Sequence, residues 1–359
     1  MKLKREGSSR TNLSESKQIW VINAKERFNV LCVGTVFRQS GLTVVVGGED
    51  GVIRIYELSA SGTPVSGGPQ LTLETKSGPV QTMTIHDITK FYHKDLIVGD
   101  SKGILTIFCN QQILSRQSVS GNSINCLQVS HDSVGSISII TSNDSGVISA
   151  VLPSCDLWRI NLNNTQLRRS PALSVNVQCL LTTNLTDQSG KTCNYVIAAD
   201  DTQHIHVILQ GSIVMTMKVP AVVTAMTQGK FVPASKVGST PQVNENVSFK
   251  DGQQVALGTA TGAVYILYNF AVTLDEFTHA QCPVTRLATV PQPDANTDIL
   301  ACAGHFNAVT FYQDGKAISS YTTDDWVNTI DVADLDNDGV QEVIIGCLDN
   351  SIHAVKILT

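Results

Sequence analysis

Asp334, Asp336 and Asp338 stand at alternate positions, with Gly339, Val340 and Glu342 close behind. Carboxylates at every second residue of a tight turn converge on one point, and a hard cation such as calcium asks for six or more oxygens. The Val340 carbonyl and the Glu342 carboxylate would complete such a set, and Gly339 permits the sharp bend. In a helix–loop–helix calcium site the last acid stands at the twelfth position, which here is Ile345, so that arrangement is excluded. A second chemistry fits the same residues. Asp and Asn in a hairpin loop accept hydrogen bonds from their own backbone as Asx-turns and need no metal.

Few other residues offer chemistry. His204 and His206 are two apart, a pair on one strand face, but two ligands alone make a weak metal site. Asp200-Asp201 and Asp324-Asp325 are acidic pairs at loop positions, expected to be solvated charges. Trp20, Trp158 and Trp326 lie in or beside strand-like runs and are expected to pack them. There is no phosphate-cradling glycine loop, no Gly-x-Ser-x-Gly elbow, no His-Glu-x-x-His and no Cys–His nucleophile context. We therefore expect no catalytic residues and no required cofactor, with calcium as the one candidate ligand.

Composition narrows the class. Of 359 residues, 42% are hydrophobic and only 16% charged, which describes a folded chain and not a disordered one. A net charge of -6 disfavours nucleic acid as a partner. No apolar run is long enough to span a membrane as a helix. The basic start, Met1 to Arg10, lacks an apolar segment of the secretory kind. The nine cysteines are scattered without a Cys-x-x-Cys pair, and most lie inside strand-like runs, as expected of reduced, buried thiols in a cytosolic or nuclear compartment.

The elements that must position the acidic loop come from repetition. Seven times, an apolar run, a small residue, three or so polar residues, a turn residue and a second apolar run follow one another. The small positions are Gly47, Gly99, Ser142, Ala199, Gly258, Ala303 and Gly346, spaced 43 to 59 residues apart. The turn positions are Gly51, Gly103, Gly146, Gln203, Gly262, Asn307 and Asn350. Gly and Asn there suit the left-handed backbone of a tight hairpin. An inner strand precedes each hairpin and an outer strand follows all but the last. That period and content predict an all-β chain: a single seven-bladed β-propeller of four-stranded antiparallel blades. The seventh blade lacks an outer strand of its own, and Gln18–Ile22 should supply it, closing the ring. Residues 1–17 are expected to be a disordered basic tail and 18–359 the propeller. Residues 59–69 read as a flexible loop and 228–252 as a long polar insertion into blade five.

The line Asp334-Leu-Asp336-Asn-Asp338-Gly339-Val-Gln-Glu342, followed by Val-Ile-Ile-Gly346, resembles the FG-GAP/VCBS repeat of integrin α-chain propellers. Only blade seven carries it in full. Among intracellular proteins the degenerate blades with one acidic loop resemble the propeller subunits of the BBSome (Bardet–Biedl proteins). They are also similar to those of the KICSTOR complex, kaptin and the integrin-α FG-GAP repeat-containing subunit. That resemblance implies a non-enzymatic scaffold, a WD40-like platform binding other subunits of a larger complex in ciliary trafficking or TORC1 nutrient signalling. It implies a cytoplasmic protein reaching the cilium or the lysosome surface through its partners. Two other functions stay open: an extracellular calcium-dependent adhesion propeller, and an enzyme with its pocket at the central channel. The mostly apolar inner strands, such as Val30-Leu-Cys-Val33, weigh against the last.

Overall fold

Each repeat becomes one blade because its apolar runs are of strand length and rich in β-branched residues, and the turns between them have hairpin chemistry. A computed structural model describes residues 16–132, 135–164, 174–187, 189–233, 254–273 and 275–358. Blade one pairs Phe28–Gly34, Thr43–Gly48, Val52–Glu57 and Leu71–Glu74 in that order. Five further blades repeat this antiparallel order, and blade five splits its outer strand into Ala271–Val272 and Thr278–His279. The seventh sheet runs Val327–Ala333, Glu342–Cys347, Ser351–Ile357 and then Ser16–Asn23. The first strand of the chain therefore closes the last blade, with Ile22 opposite Ile352 and Asn23 opposite Ser351. Ser16 and Lys17 belong to this closing strand; the rest of the tail lies outside the described residues.

The seven inner strands touch one another in chain order, and the last touches the first, so the ring is closed. Seven apolar clusters hold the described residues together, one in each gap between neighbouring blades. The small residue of each hairpin serves this packing. A Cβ on Gly47 would lie 2.5 Å from the Val80 side chain of blade two, and one on Gly346 2.6 Å from Phe28 of blade one. Blade packing, more than crowding at the axis, demands the small side chain. Inner strands are also stapled through side chains: Asn29 donates to the Val80 carbonyl and Asn328 to the Phe28 carbonyl, both at 2.9 Å.

The hairpin turns follow the sequence with one exception. Gly51, Gly103, Gly146, Gln203, Gly262 and Asn350 have positive φ, and Asn307 does not. Asp and Asn at these turns accept backbone N–H groups: Asp100 from Lys102 and Ile104, Asn143 from Ser145 and Val147. Antiparallel alternation sends the first and third connections of every blade to one face of the ring. That face carries the acidic loop, the connection 87–94 of blade two, loop 59–69 and residues 230–233, where the chain enters the insertion. Loop 59–69 is held in place: Ser59 and Thr63 close a turn, and the Trp20 indole donates to the Gly62 carbonyl at 2.8 Å. Residues 234–252 of the insertion lie outside the described residues.

Candidate functional site

The acidic loop joins the first two strands of blade seven. One ligand atom each from Asp334, Asp336 and Asp338 lies within 4.8 Å of the others, so the alternate carboxylates do converge. Both Asp334 oxygens accept backbone N–H groups, Oδ1 from Asp338 at 3.1 Å and Oδ2 from Gly339 at 2.9 Å. Asp338 accepts from the Val340 N–H at 2.9 Å. Gly339 has φ +87°, the left-handed backbone expected of it. Glu342 is fully buried; its Oε2 accepts the Leu335 N–H at 2.8 Å.

A cation from the chain itself sits in this arrangement. The Lys356 Nζ lies 2.5 Å from Asp338, 2.9 Å from Glu342 and 3.6 Å from Asp336. Burial opposes the charge on Lys356, but hydrogen bonds to Asp338 and Glu342 outweigh it and hold the amine above its ordinary range. The hydrogen bond from Lys356, reinforced by the Val340 N–H, lowers the Asp338 carboxyl in turn. The donor set fits a hard cation in type, while backbone amides and Lys356 already satisfy most of its oxygens.

The other residues singled out by sequence find structural roles. His206 is buried and bonds Asp200 at 3.0 Å and Thr216 at 3.0 Å, while His204 stands 3.9 Å from Asp200. Asp200 is thus a buried turn anchor and not a solvated charge. Asp201 bonds Asn176, and Asp325 caps the Trp326 N–H. Trp20 is buried and Trp158 packs between blades three and four. Trp326 departs from expectation: it is 44% exposed, its ring stacked on His305 at 5.1 Å.

Two charged residues stand on inner strands whose sequences look apolar, Arg286 and Asp331. Arg286 of blade six is accessible to solvent, while partial desolvation by the packed inner strands lowers its pKa. Its guanidinium donates to the Thr285 carbonyl at 2.8 Å. Asp331 of blade seven bonds the Val33 N–H at 2.7 Å and the Val332 N–H at 2.9 Å. Burial pushes its carboxyl up to about 6, against the pull of those two bonds.

Sequence pattern gave no sign of the most accessible apolar feature. Phe91 is 63% exposed and Tyr92 fully so, in the connection 87–94 of blade two. They border a surface cavity of about 480 Å³ shared with Phe37, Arg38 and Lys94. Aromatic rings beside arginine are the composition of interaction hot spots, and unburied aromatic pairs are uncommon without such use. Only a propensity-neutral loop residue type marked them in sequence, which is no signal.

No known protein-family profile matches the chain, and no curated protein does. Solved structures do. The propeller BBS1N, crystallised in complex with ARL6DN, is similar with TM-scores of 0.65 and 0.67 in two structures. Identity is 12% and 10%, over 96% of this chain and 96% or 97% of that one. The WD40 β-propeller domain of Doa1 is similar with a TM-score of 0.64 and 11% identity, over 96% of this chain and 97% of the other. At such identities the likeness is one of fold.

Proposed function

We propose that this chain is a non-enzymatic protein-interaction propeller, a subunit of a multi-subunit complex that binds its partner through the face bearing the blade-two connection. The single observation that carries this is the exposed pair Phe91 and Tyr92 beside the Arg38-lined cavity. The rigid ring holds these loops in fixed relation, which lowers the entropic cost of binding. Arg38 and Lys94 favour an acidic partner segment with an apolar anchor for the cavity. BBS1N is a propeller of the same architecture seen with a protein partner, and the acidic repeat of blade seven points to the same group. A BBSome-like or KICSTOR-like complex is the finer form of this proposal.

The acidic loop belongs to the same face. There we propose a calcium-type site whose ion must displace Lys356, so that calcium stiffens blade seven at the seam where the ring closes.

Affinity purification of the full chain from native cells should recover a stoichiometric multi-subunit complex. The Phe91→Ala/Tyr92→Ala double variant should lose the partner subunits while melting at the wild-type temperature. Recovery of a lone wild-type chain, or full retention of partners by the variant, would sink the proposal.

A further inference from the structure

We propose that His93, Asp95 and Cys109 form a binding site for zinc at the loop end of blade two. The antiparallel pairing of Asp95–Asp100 with Ile104–Cys109 sets Leu96 opposite Phe108, so Asp95 and Cys109 adjoin where the two strands end. The connection 87–94 brings His93 over them. One ligand atom of each residue lies within 4.8 Å of the other two.

The orientation of each group is that of a ligand. The His93 Nδ1 lies 2.8 Å from the Phe91 carbonyl, which can only accept, so Nδ1 carries the proton and the neutral ring has a bare Nε2. That bare nitrogen is 3.5 Å from the Cys109 sulfur. Zinc–nitrogen and zinc–sulfur bonds at a tetrahedral angle place their ends about 3.5 Å apart. Asp95 is completely buried. Its Oδ2 accepts the Ile88 and Thr89 N–H groups at 3.1 and 2.9 Å, which fixes the carboxylate. Its Oδ1 is buried without an N–H or O–H donor, and the Cys109 thiol is the group that bonds Asp95 and Thr89 there. A buried carboxylate served there only by a weak S–H donor is under-satisfied, and a cation would satisfy it better.

Imidazole, thiolate and carboxylate together suit zinc better than calcium or magnesium, which ask for oxygen throughout. Two anionic ligands match its double charge. Three protein ligands leave one tetrahedral position for water or for a group from a partner. The His93–Phe91 hydrogen bond is the outer support that metal-bound histidines use. His93 also lines the cavity beside Phe91 and Tyr92, so the ion would anchor the connection that carries the proposed binding surface. The zinc inference does not depend on that surface having a partner.

The test uses the untagged full chain, stripped with chelator, loaded with zinc, gel-filtered and assayed for metal. We expect zinc to be retained by the wild type and by Cys155→Ser, whose cysteine is exposed elsewhere. Cys109→Ser and His93→Ala should bind at least about tenfold more weakly. Cobalt-loaded wild type should show a thiolate-to-cobalt absorption band that Cys109→Ser lacks. No retained zinc, or equal retention by Cys109→Ser, overturns the proposal. A measurement on wild type alone covers variants that fail to fold: iodoacetamide should label Cys109 more slowly with zinc than with chelator, while Cys155 reacts equally in both. Equal labelling of Cys109 overturns the site. Fast labelling in both conditions does so too, and points to a reactive Cys–His pair.

Discussion

Lys356 gathers Asp336, Asp338 and the buried Glu342 onto one ammonium. Replacing it by Met leaves the Glu342 Oε1 buried without a cation, which is costly because an unpaired buried charge has lost its solvation. We expect Lys356→Met to lower stability by about 2 kcal/mol, less than for a fully enclosed pair because the Asp partners face water. Millimolar calcium should restore much of that loss and shift the wild type less, as read by thermal melting. A variant indifferent to calcium would count against the calcium-type loop. Asp331 offers a pH test with the opposite sign from a paired acid. Its folded pKa is about 6 against 3.8 for an ordinary Asp, so the native state bears a charging cost above pH 6 that disappears below pH 4. Asp331→Asn should therefore be more stable than wild type at pH 8, by about 1–2 kcal/mol. That advantage should shrink as pH falls to 4. A pH-independent difference would mean that Asp331 stays charged at no cost.

At the scale of elements, the strand Ser16–Asn23 decides whether the ring is closed. Trp20 packs between blades seven and one and donates to Gly62, which ties loop 59–69 to the same seam. Trp20→Ala should cost about 3–5 kcal/mol through lost packing. Trp20→Phe, which keeps most of the packing and loses the hydrogen bond, should cost about 1 kcal/mol. Denaturant titration distinguishes the two, and equal small losses would show that the seam is held elsewhere. The hairpin elements were legible in sequence because small and turn residues recur at fixed offsets. Blade five was less so: its insertion and its split outer strand follow no repeat. Trp326 escaped expectation for a related reason, since an aromatic beside a strand packs inward only if a neighbouring blade covers it.

For the whole molecule, the consequence of the ring is that loops far apart in sequence share one face. Phe91 and Tyr92, the acidic loop and loop 59–69 come from blades two, seven and one, yet emerge together because antiparallel strands alternate direction. This is why the Phe91→Ala/Tyr92→Ala variant is expected to lose partners with little loss of stability: both side chains are mostly exposed, and the ring contact of Phe91 is to His93 in the same connection. Among the described residues no helix is long and apolar enough to cross a membrane.

Sequence by itself determined the blade count, the hairpin turns, the closing strand and the convergence of Asp334, Asp336 and Asp338. All of these rest on local chemistry: recurring apolar runs of strand length, positive-φ turns and alternate side chains in one loop. Only the tertiary structure decided what meets those carboxylates. Lys356 is eighteen residues beyond Asp338 and reaches it across paired strands. Tertiary structure likewise brought His93 and Asp95 to Cys109, and set Asp331 of blade seven against the Val33 N–H of blade one. Such groupings depend on register and ring closure, which place residues from separate strands within bonding distance, and no spacing along the chain records them.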